Sequence, residues 1–270
     1  MQLLEDWVKE VFINKADLLL ITFNSMWKSS FKEVELIEKI LESHGIGKGS
    51  SILELGCGNG RISIGLAKKG YRVTGVDISP KFIEDAKRKA EKEKANVEFI
   101  IGDVRELDRI LPNRYFDVIL FHWGTIIGYY DEETDIKILS LCKKHVKSNG
   151  KLLITRLANR DTTALIYSFF GGKCSYISYD DNIVVVEEVE FNPITSRMSS
   201  KWIYYVRKGR DLMYMDELKY SIRLYSLHEL VEIASKAGWT LEKVYTGIDR
   251  LEEVRRPTLT PVLHYVFKPR

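Results

Sequence analysis

Cysteine is scarce in this 270-residue chain, and what there is cannot be cross-linked into a framework. Cys57, Cys142 and Cys174 are odd in number and far apart, so neither a disulfide scaffold nor the paired spacing of a zinc site can be built from them. A surplus of one charge is also missing. Forty-one basic residues face 38 acidic ones, a net charge of +3, which argues against the concentrated basic footprint of a dedicated nucleic-acid binder. Long apolar runs are absent as well: Leu18-Leu19-Leu20-Ile21 is far too short to cross a bilayer. Glu5 and Asp6 stand where a secretory signal would need a basic start and an apolar stretch. A reducing cytoplasm is therefore the expected compartment. No internal repeat, low-complexity tract or flexible linker interrupts the chain.

What is present is an ordinary globular balance, 45% hydrophobic and 29% charged residues, enough for one sizeable core with a smaller elaboration on it. Residues 1–46 are expected to be a helical cap, with Leu36, Ile37, Ile40 and Leu41 at the spacing of an apolar stripe and His44-Gly45 as its stop. From Ser51 strands and helices alternate. Ser51–Leu55, Arg72–Val76, Val97–Ile101, Tyr115–His122 and Lys151–Arg156 are short apolar strands. Arg61–Lys69, Pro80–Lys94 and Glu132–Val146 are the helices between them, the last ended by Ser148-Asn149-Gly150. Short apolar strands alternating with helices across short loops predict an α/β fold, a doubly wound and mostly parallel sheet covered on both faces.

After Asn159 the rhythm breaks. A short helix (Thr162–Phe170) stopped by Gly171-Gly172 precedes three segments with strand character, Ile183–Phe191, Arg197–Arg207 and Leu212–Leu224. Polar and apolar residues alternate in them, as in an antiparallel sheet with one wet face. Residues 159–224 are thus expected to be an insertion acting as a lid on a single domain spanning 1–270. Ser226 and Glu229 form the capping box of a helix ending at Gly238, and Thr240–Gly247 and Val262–Phe267 close the chain as strands.

The chemistry concentrates at successive strand ends. Gly56, Gly58 and Gly60 follow the first strand and open a helix; Asp77 ends the second strand; Asp103 follows the third. Glycine allows a tight turn and lets backbone amides approach a ligand. A carboxylate at the second strand end can accept from both hydroxyls of a ribose, and one after the third could accept from an adenine amino group. Taken singly, each has a plainer reading: a strand-to-helix turn for the glycines, a solvated residue or helix cap for either acid. Their joint placement at the carboxyl edge of such a sheet is the signal, since ligands bind there.

Glu54-Leu55-Gly56-Cys57-Gly58-Asn59-Gly60, Val76-Asp77-Ile78-Ser79 and Gly102-Asp103-Val104 resemble the first three motifs of the class I S-adenosylmethionine-dependent methyltransferases. Phe116-Asp117-Val118-Ile119 resembles the family's fourth-strand motif, and the stretch from Lys147 to Ile154 its turn into the fifth strand, with Ser148-Asn149-Gly150 where the family often has a proline and two glycines. The resemblance covers Ser51 to Arg156 closely and the rest weakly. It implies a Rossmann-like seven-stranded sheet and S-adenosyl-L-methionine as cofactor. It also implies that Gly56, Cys57, Gly58 and Gly60 surround the methionine moiety and that Glu54 holds its amino group. Asp77, with Ile78 beside it, would bind the ribose; Asp103 and the Val104 backbone would face the adenine; His122 would sit near the transferred methyl. The competing cofactor is a dinucleotide, but a dinucleotide loop has two residues between its second and third glycines and this one has only Asn59.

Methyl transfer from a sulfonium is an in-line displacement that needs alignment more than a covalent catalyst. On the acceptor side His122 is a candidate base or orienting group, and Tyr129 a candidate catalytic or wall residue beside Tyr130. A histidine merely hydrogen-bonded at a strand end and a tyrosine packed on the next helix are the alternatives. Thr22 to Trp27, with Phe23 and Trp27, is placed by the resemblance over the donor. Tyr167, Phe169, Phe170, Tyr176, Tyr179, Trp202, Tyr204 and Tyr205 make the lid aromatic-rich, which suits a partly apolar small molecule, unless they form the lid's own core or a dimer interface. The acceptor expected is therefore a nitrogen or oxygen of a small molecule, with no metal and no membrane. RNA or protein is the alternative acceptor, with Arg207, Lys208, Arg210, Arg250, Arg255 and Arg256 as contacts; a non-catalytic donor-binding module is the alternative of another class.

Overall fold

The computed structural model describes residues 7–170, 175–178, 182–247, 251–255 and 260–270. Gly171, Gly172, Cys174, Tyr179, Arg250 and Arg256, and the side chains of Phe169, Phe170 and Tyr176, lie outside the described residues.

A π-helical turn at Glu10–Asn14 leads into α1 (Ala16–Ser25) and α2 (Ser30–Ser43). Val34, Ile37, Ile40 and Leu41 of α2 recur every three or four residues and are buried, the face that seats the helix on the sheet. Then follow β1 (Ser51–Leu55), α3 (Arg61–Lys68), β2 (Arg72–Asp77), α4 (Pro80–Lys92), β3 (Val97–Ile101), a 3₁₀ turn at Val104–Glu106, α5 (Leu107–Ile110), β4 (Phe116–His122), α6 (Glu132–Lys144) and β5 (Val146–Ala158). These five strands are mutually parallel in the order β3-β2-β1-β4-β5. Ile52, Leu53 and Leu55 of β1 are wholly buried, each contributing about 1.5–3 kcal/mol relative to exposure.

The sheet continues through β12 (Val262–Pro269), β10 (Trp239–Thr246) and β11 (Glu252–Glu253), with β12 antiparallel to both neighbours. It is the expected seven-stranded, mostly parallel sheet with a two-residue edge strand added. Between β5 and β10 lie α7 (Arg160–Phe170), a separate antiparallel sheet of β6 (Ser175–Ser178), β7 (Ile183–Asn192), β8 (Arg197–Lys208) and β9 (Asp211–Arg223), and α8 (Leu227–Lys236). The capping box of α8 forms as its sequence dictates: the Ser226 hydroxyl accepts from the Glu229 amide and the Glu229 carboxylate from the Ser226 amide.

One local expectation is corrected. Ser148-Asn149-Gly150 is not a turn that stops the preceding helix. That helix ends at Lys144, and the tripeptide lies inside β5 at a register shift opposite Phe116 and Val118. A β-bulge absorbs the extra residues where a turn had been expected.

The inserted sheet leans on the amino-terminal helices. Val185, Tyr204 and Leu218 pack against Leu18, Leu19 and Phe82, and the Tyr204 hydroxyl lies 2.9 Å from Thr22 Oγ1. Tyr204 thus belongs to the packing of the insertion on α1. Arg207, Lys208 and Arg210 sit at the exposed tip of the β8–β9 hairpin.

Candidate active site

The carboxyl ends of β1, β2 and β4 meet at one edge of the sheet. There the Glu54–Gly60 loop turns through Gly56 and Gly60, both in left-handed conformation (φ +69° and +78°) and both hard against neighbours. A Cβ on Gly56 would lie 2.3 Å from Thr125 Cγ2, and one on Gly60 2.7 Å from Phe99 Cζ. Only glycine meets both demands.

Asp77 ties this loop to β2. Its Oδ2 accepts the Gly58 amide at 2.8 Å and its Oδ1 the Ser79 amide at 2.9 Å. Both carboxylate oxygens of Asp77 are thus fixed by backbone amides at the mouth of the loop. Burial pushes its carboxyl up to about 6. The cap of α4 is Ser79, whose side chain accepts from Phe82, and not Asp77. Asp103 behaves otherwise. Both its oxygens are engaged by the amide and guanidinium of Arg105 at 2.7–3.1 Å, and it caps the 3₁₀ turn that follows. An adenine amino group would have to share it with Arg105.

Glu54 ends in the interior, 2% exposed, with the Ser63 hydroxyl donating to it. Burial drives its carboxyl up to about 7, against that hydrogen bond. Burial likewise keeps the Cys57 thiol protonated.

Two adjoining cavities share Gly56 and Thr125. One, of about 40 Å³, is lined by Asp77, Ile78, Asp103, Val104, Tyr129 and Phe12, among others. The other, of about 60 Å³, is lined by Glu54, Cys57, Gly58, His122, Trp123 and Phe23, among others. Tyr129 stacks on Phe12 (ring centroids 5.6 Å apart, 12° between planes) and its hydroxyl lies 3.1 Å from Thr125 Oγ1. Phe23 reaches the loop from α1; Trp27 lies farther out, under the Lys89 ammonium at 4.6 Å.

His122 is 6% exposed and both ring nitrogens are engaged. Nε2 is 3.2 Å from Glu33 Oε2 and Nδ1 is 2.8 Å from Thr155 Oγ1. The carboxylate can only accept, so Nε2 carries the hydrogen and Nδ1 accepts from threonine. Burial lowers the imidazole to about 4, overriding Glu33, so it is neutral at physiological pH. Glu33 also pairs with Arg61 and, at 3.1 Å, with Arg156, and Arg61 lies over the Trp123 ring at 4.9 Å. Sequence reasoning missed Glu33, Arg61 and Arg156. They lie on α2, α3 and β5, and no local pattern joins three such distant positions.

A family model described as a methyltransferase domain matches residues 52–150. Over 170 residues the chain is 32% identical to the ubiquinone biosynthesis O-methyltransferase of Coxiella burnetii, covering 61% of this chain and 68% of that one. The chain belongs to the S-adenosylmethionine-dependent methyltransferases. Two solved structures share the fold. An S-adenosylmethionine-dependent methyltransferase from Clostridium acetobutylicum has a TM-score of 0.72 at 16% identity, covering 89% of this chain and 91% of that one. CalS10, an amino pentose methyltransferase from Micromonospora echinaspora involved in calicheamicin biosynthesis, has a TM-score of 0.69 at 14% identity, covering 94% and 97%. The methyl donor of this methyltransferase is S-adenosyl-L-methionine, and the turn at Gly56, where a Cβ would have no room beside Thr125, is a cradle that suits a close-lying ligand. No helix among the described residues is long and apolar enough to cross a membrane.

Proposed function

We propose that this methyltransferase acts on a nitrogen or oxygen of a small organic acceptor. The observation that carries the reading is the pair of adjoining cavities walled by Phe12, Phe23 and Tyr129, which gives the carboxyl edge of the sheet an aromatic surround of the kind that receives a small molecule. The names of the similar proteins point the same way, toward O-methylation in one and an amino pentose in another.

In this reading Asp77 holds the ribose, Ile78 and the Val104 backbone flank the adenine, with Asp103 at its edge, and Glu54 faces the amino group beside Gly56, Cys57, Gly58 and Gly60. Bound there, S-adenosylmethionine supplies a methyl carbon on a sulfonium, which an acceptor aligned behind it takes by in-line displacement. His122 walls the methionine side as a neutral imidazole fixed by Glu33 and Thr155, a positioning residue and not a base. Tyr129 closes the adenosine side through its stack on Phe12.

Feeding labelled donor and a fractionated cell extract to the protein tests the reading. Label is expected in low-molecular-weight products; label confined to RNA or protein would replace it.

Donor binding should also depend on pH. Glu54 and Asp77 carry raised carboxyls, about 7 and about 6, and the donor's ammonium and ribose favour the ionised forms. Donor affinity should therefore rise with pH, by about tenfold from pH 6 to pH 8, since each unit below a pKa costs a factor of ten. Glu54→Gln should flatten the profile. Isothermal titration across that range checks it, and a flat profile in the parent protein would remove Glu54 from donor binding.

A further inference from the structure

Beyond β4 the chain forms part of a cavity wall in a strained conformation. Trp123 (φ +64°) and Ile126 (φ +75°) are both left-handed, which is uncommon outside glycine and costly for a β-branched residue such as isoleucine. Such strain persists only where the surrounding structure fixes the chain. Thr125, Ile126, Tyr129 and Tyr130 of this segment line the cavity beside Asp77 and Asp103, so whatever fixes the segment also sets that wall.

Gly128 is its anchor. The Gly128 carbonyl accepts the Arg223 amide at 2.8 Å, and the Gly128 amide donates to Asp135 Oδ2 at 2.9 Å. A Cβ at this position would stand 2.1 Å from the Arg223 carbonyl oxygen, so only glycine fits. Asp135, on α6, is fully buried, and the same Oδ2 accepts the Tyr225 hydroxyl at 2.7 Å. Arg223 ends β9, and Tyr225 follows it by two residues. Arg197, which opens β8, donates to the Tyr130 carbonyl at 3.3 Å. The exit of the inserted sheet and the cavity wall thus meet on one buried carboxylate oxygen.

What this joint uses is an acceptor oxygen, not a charge. Burial pushes the Asp135 carboxyl up to about 7, against the hydrogen bonds from Tyr225 and Gly128, and Oδ1 is buried without a hydrogen-bond partner. The charged groups around it make their contacts elsewhere. Arg223 pairs with Glu132 at 2.6 Å and Glu229 at 3.6 Å, Arg197 donates to Ser221 and Tyr130, and Asp131 caps α6. A proton on Oδ1 would leave Oδ2 accepting as before. An apolar side chain would instead strand two buried donors, which costs more than a hydrogen bond ordinarily contributes.

We propose that Asp135 is a positioning residue for the donor site: its Oδ2 fixes the Thr125–Tyr130 wall through Gly128 and ties that wall to the inserted sheet through Tyr225. The inference deepens the proposed function and rests on its placement of the donor, not on its acceptor. Neither Asp135 nor Tyr225 lines either cavity, so both act through the wall and touch no ligand.

Titration of the whole protein with S-adenosylmethionine, alongside thermal melts, tests it. Asp135→Ala is expected to weaken donor binding about tenfold, the effect of a buried donor left unpaired. Asp135→Asn keeps one oxygen for both donors and should stay within about twofold of the parent. Tyr225→Phe cuts only the tie to the inserted sheet and should weaken binding about fivefold, the span of one hydrogen bond. In the Asp135→Ala background it should add nothing, since the shared oxygen is already gone. A structural role alone would lower the melting temperature of Tyr225→Phe and leave its donor affinity at the parent value. Parent affinity in Tyr225→Phe or in a folded Asp135→Ala, a tenfold loss in Asp135→Asn, or full additivity of the Tyr225 and Asp135 changes would each overturn the inference. Tyr225→Phe and Asp135→Asn decide it should Asp135→Ala fail to fold. Asp77→Ala separates the two readings. Donor binding lost there, with parent affinity in Tyr225→Phe, removes only the role of Asp135; parent affinity in a folded Asp77→Ala removes the donor placement itself.

Discussion

Gly56→Ala is expected to weaken S-adenosylmethionine binding by about a hundredfold or more, equivalent to about 2.7 kcal/mol, and to lower turnover at fixed donor accordingly. Two independent penalties act. The residue sits at φ +69°, where a side chain costs about 1–2 kcal/mol. The added Cβ would also stand 2.3 Å from Thr125 Cγ2 and 3.3 Å from Ile126 Cδ1, well inside contact, so the Thr125–Ile126 segment must move. That segment cannot move without cost to the site, because Thr125 lines both cavities and Ile126 one of them. Gly47→Ala is the matched control: a Cβ there meets nothing within 4 Å, and donor affinity should stay within about threefold, the scatter of a silent surface change. Titration calorimetry with far-ultraviolet circular dichroism reads both variants. Donor affinity unchanged in a folded Gly56→Ala protein would mean that the loop is not the donor's cradle.

The glycine loop and the acids at the strand ends were legible because each is local. Gly56 and Gly60, Asp77 and Asp103 each announce themselves by residue type at a strand end, and strand periodicity places those ends side by side. Their finer roles were not legible. Asp77 and Asp103 look alike in sequence, yet one is held by backbone amides of the loop and of Ser79 and the other by the amide and guanidinium of Arg105, a difference made by side-chain geometry two residues downstream. Ser148-Asn149-Gly150 carries every mark of a turn, and only pairing with β4 turns it into a bulge. The insertion was readable as antiparallel strands from its alternation. Which of its aromatics pack on α1 depended on register across β7, β8 and β9, which alternation alone leaves open.

The second large effect lies in the cluster that sequence reasoning missed. Glu33 is 8% exposed and is the common anion for Arg61, Arg156 and the His122 ring. Glu33→Ala would leave two guanidinium groups inside the protein without it, and breaking a buried pair from one side costs about 3–5 kcal/mol. A melting temperature lower by about 10 °C is expected for a chain of this size. Glu33→Gln keeps an acceptor oxygen and loses the charge, so it should fall between. The pH dependence follows from the same contacts. Burial alone would raise the Glu33 carboxyl, but the hydrogen bond from His122 and the Arg61 guanidinium hold it down at about 2. Its contribution is therefore complete above the usual carboxylate range and is lost as pH falls toward 2. His122 is also depressed, to about 4, so the folded protein resists a proton that the unfolded chain takes up near the usual histidine value; this contribution shrinks as pH falls from there toward 4. The two act in sequence on acidification. Thermal melts of parent, Glu33→Gln and Glu33→Ala at neutral pH check the ranking, and an alanine variant within about 1 kcal/mol of the parent would place this cluster among the ion pairs that contribute little. Because His122 and Trp123 line the cavity beside Glu54 and Gly58, a confirmed loss would also mean that the charge holding α2 to the sheet supports that cavity's wall, which on the proposed function faces the methyl group.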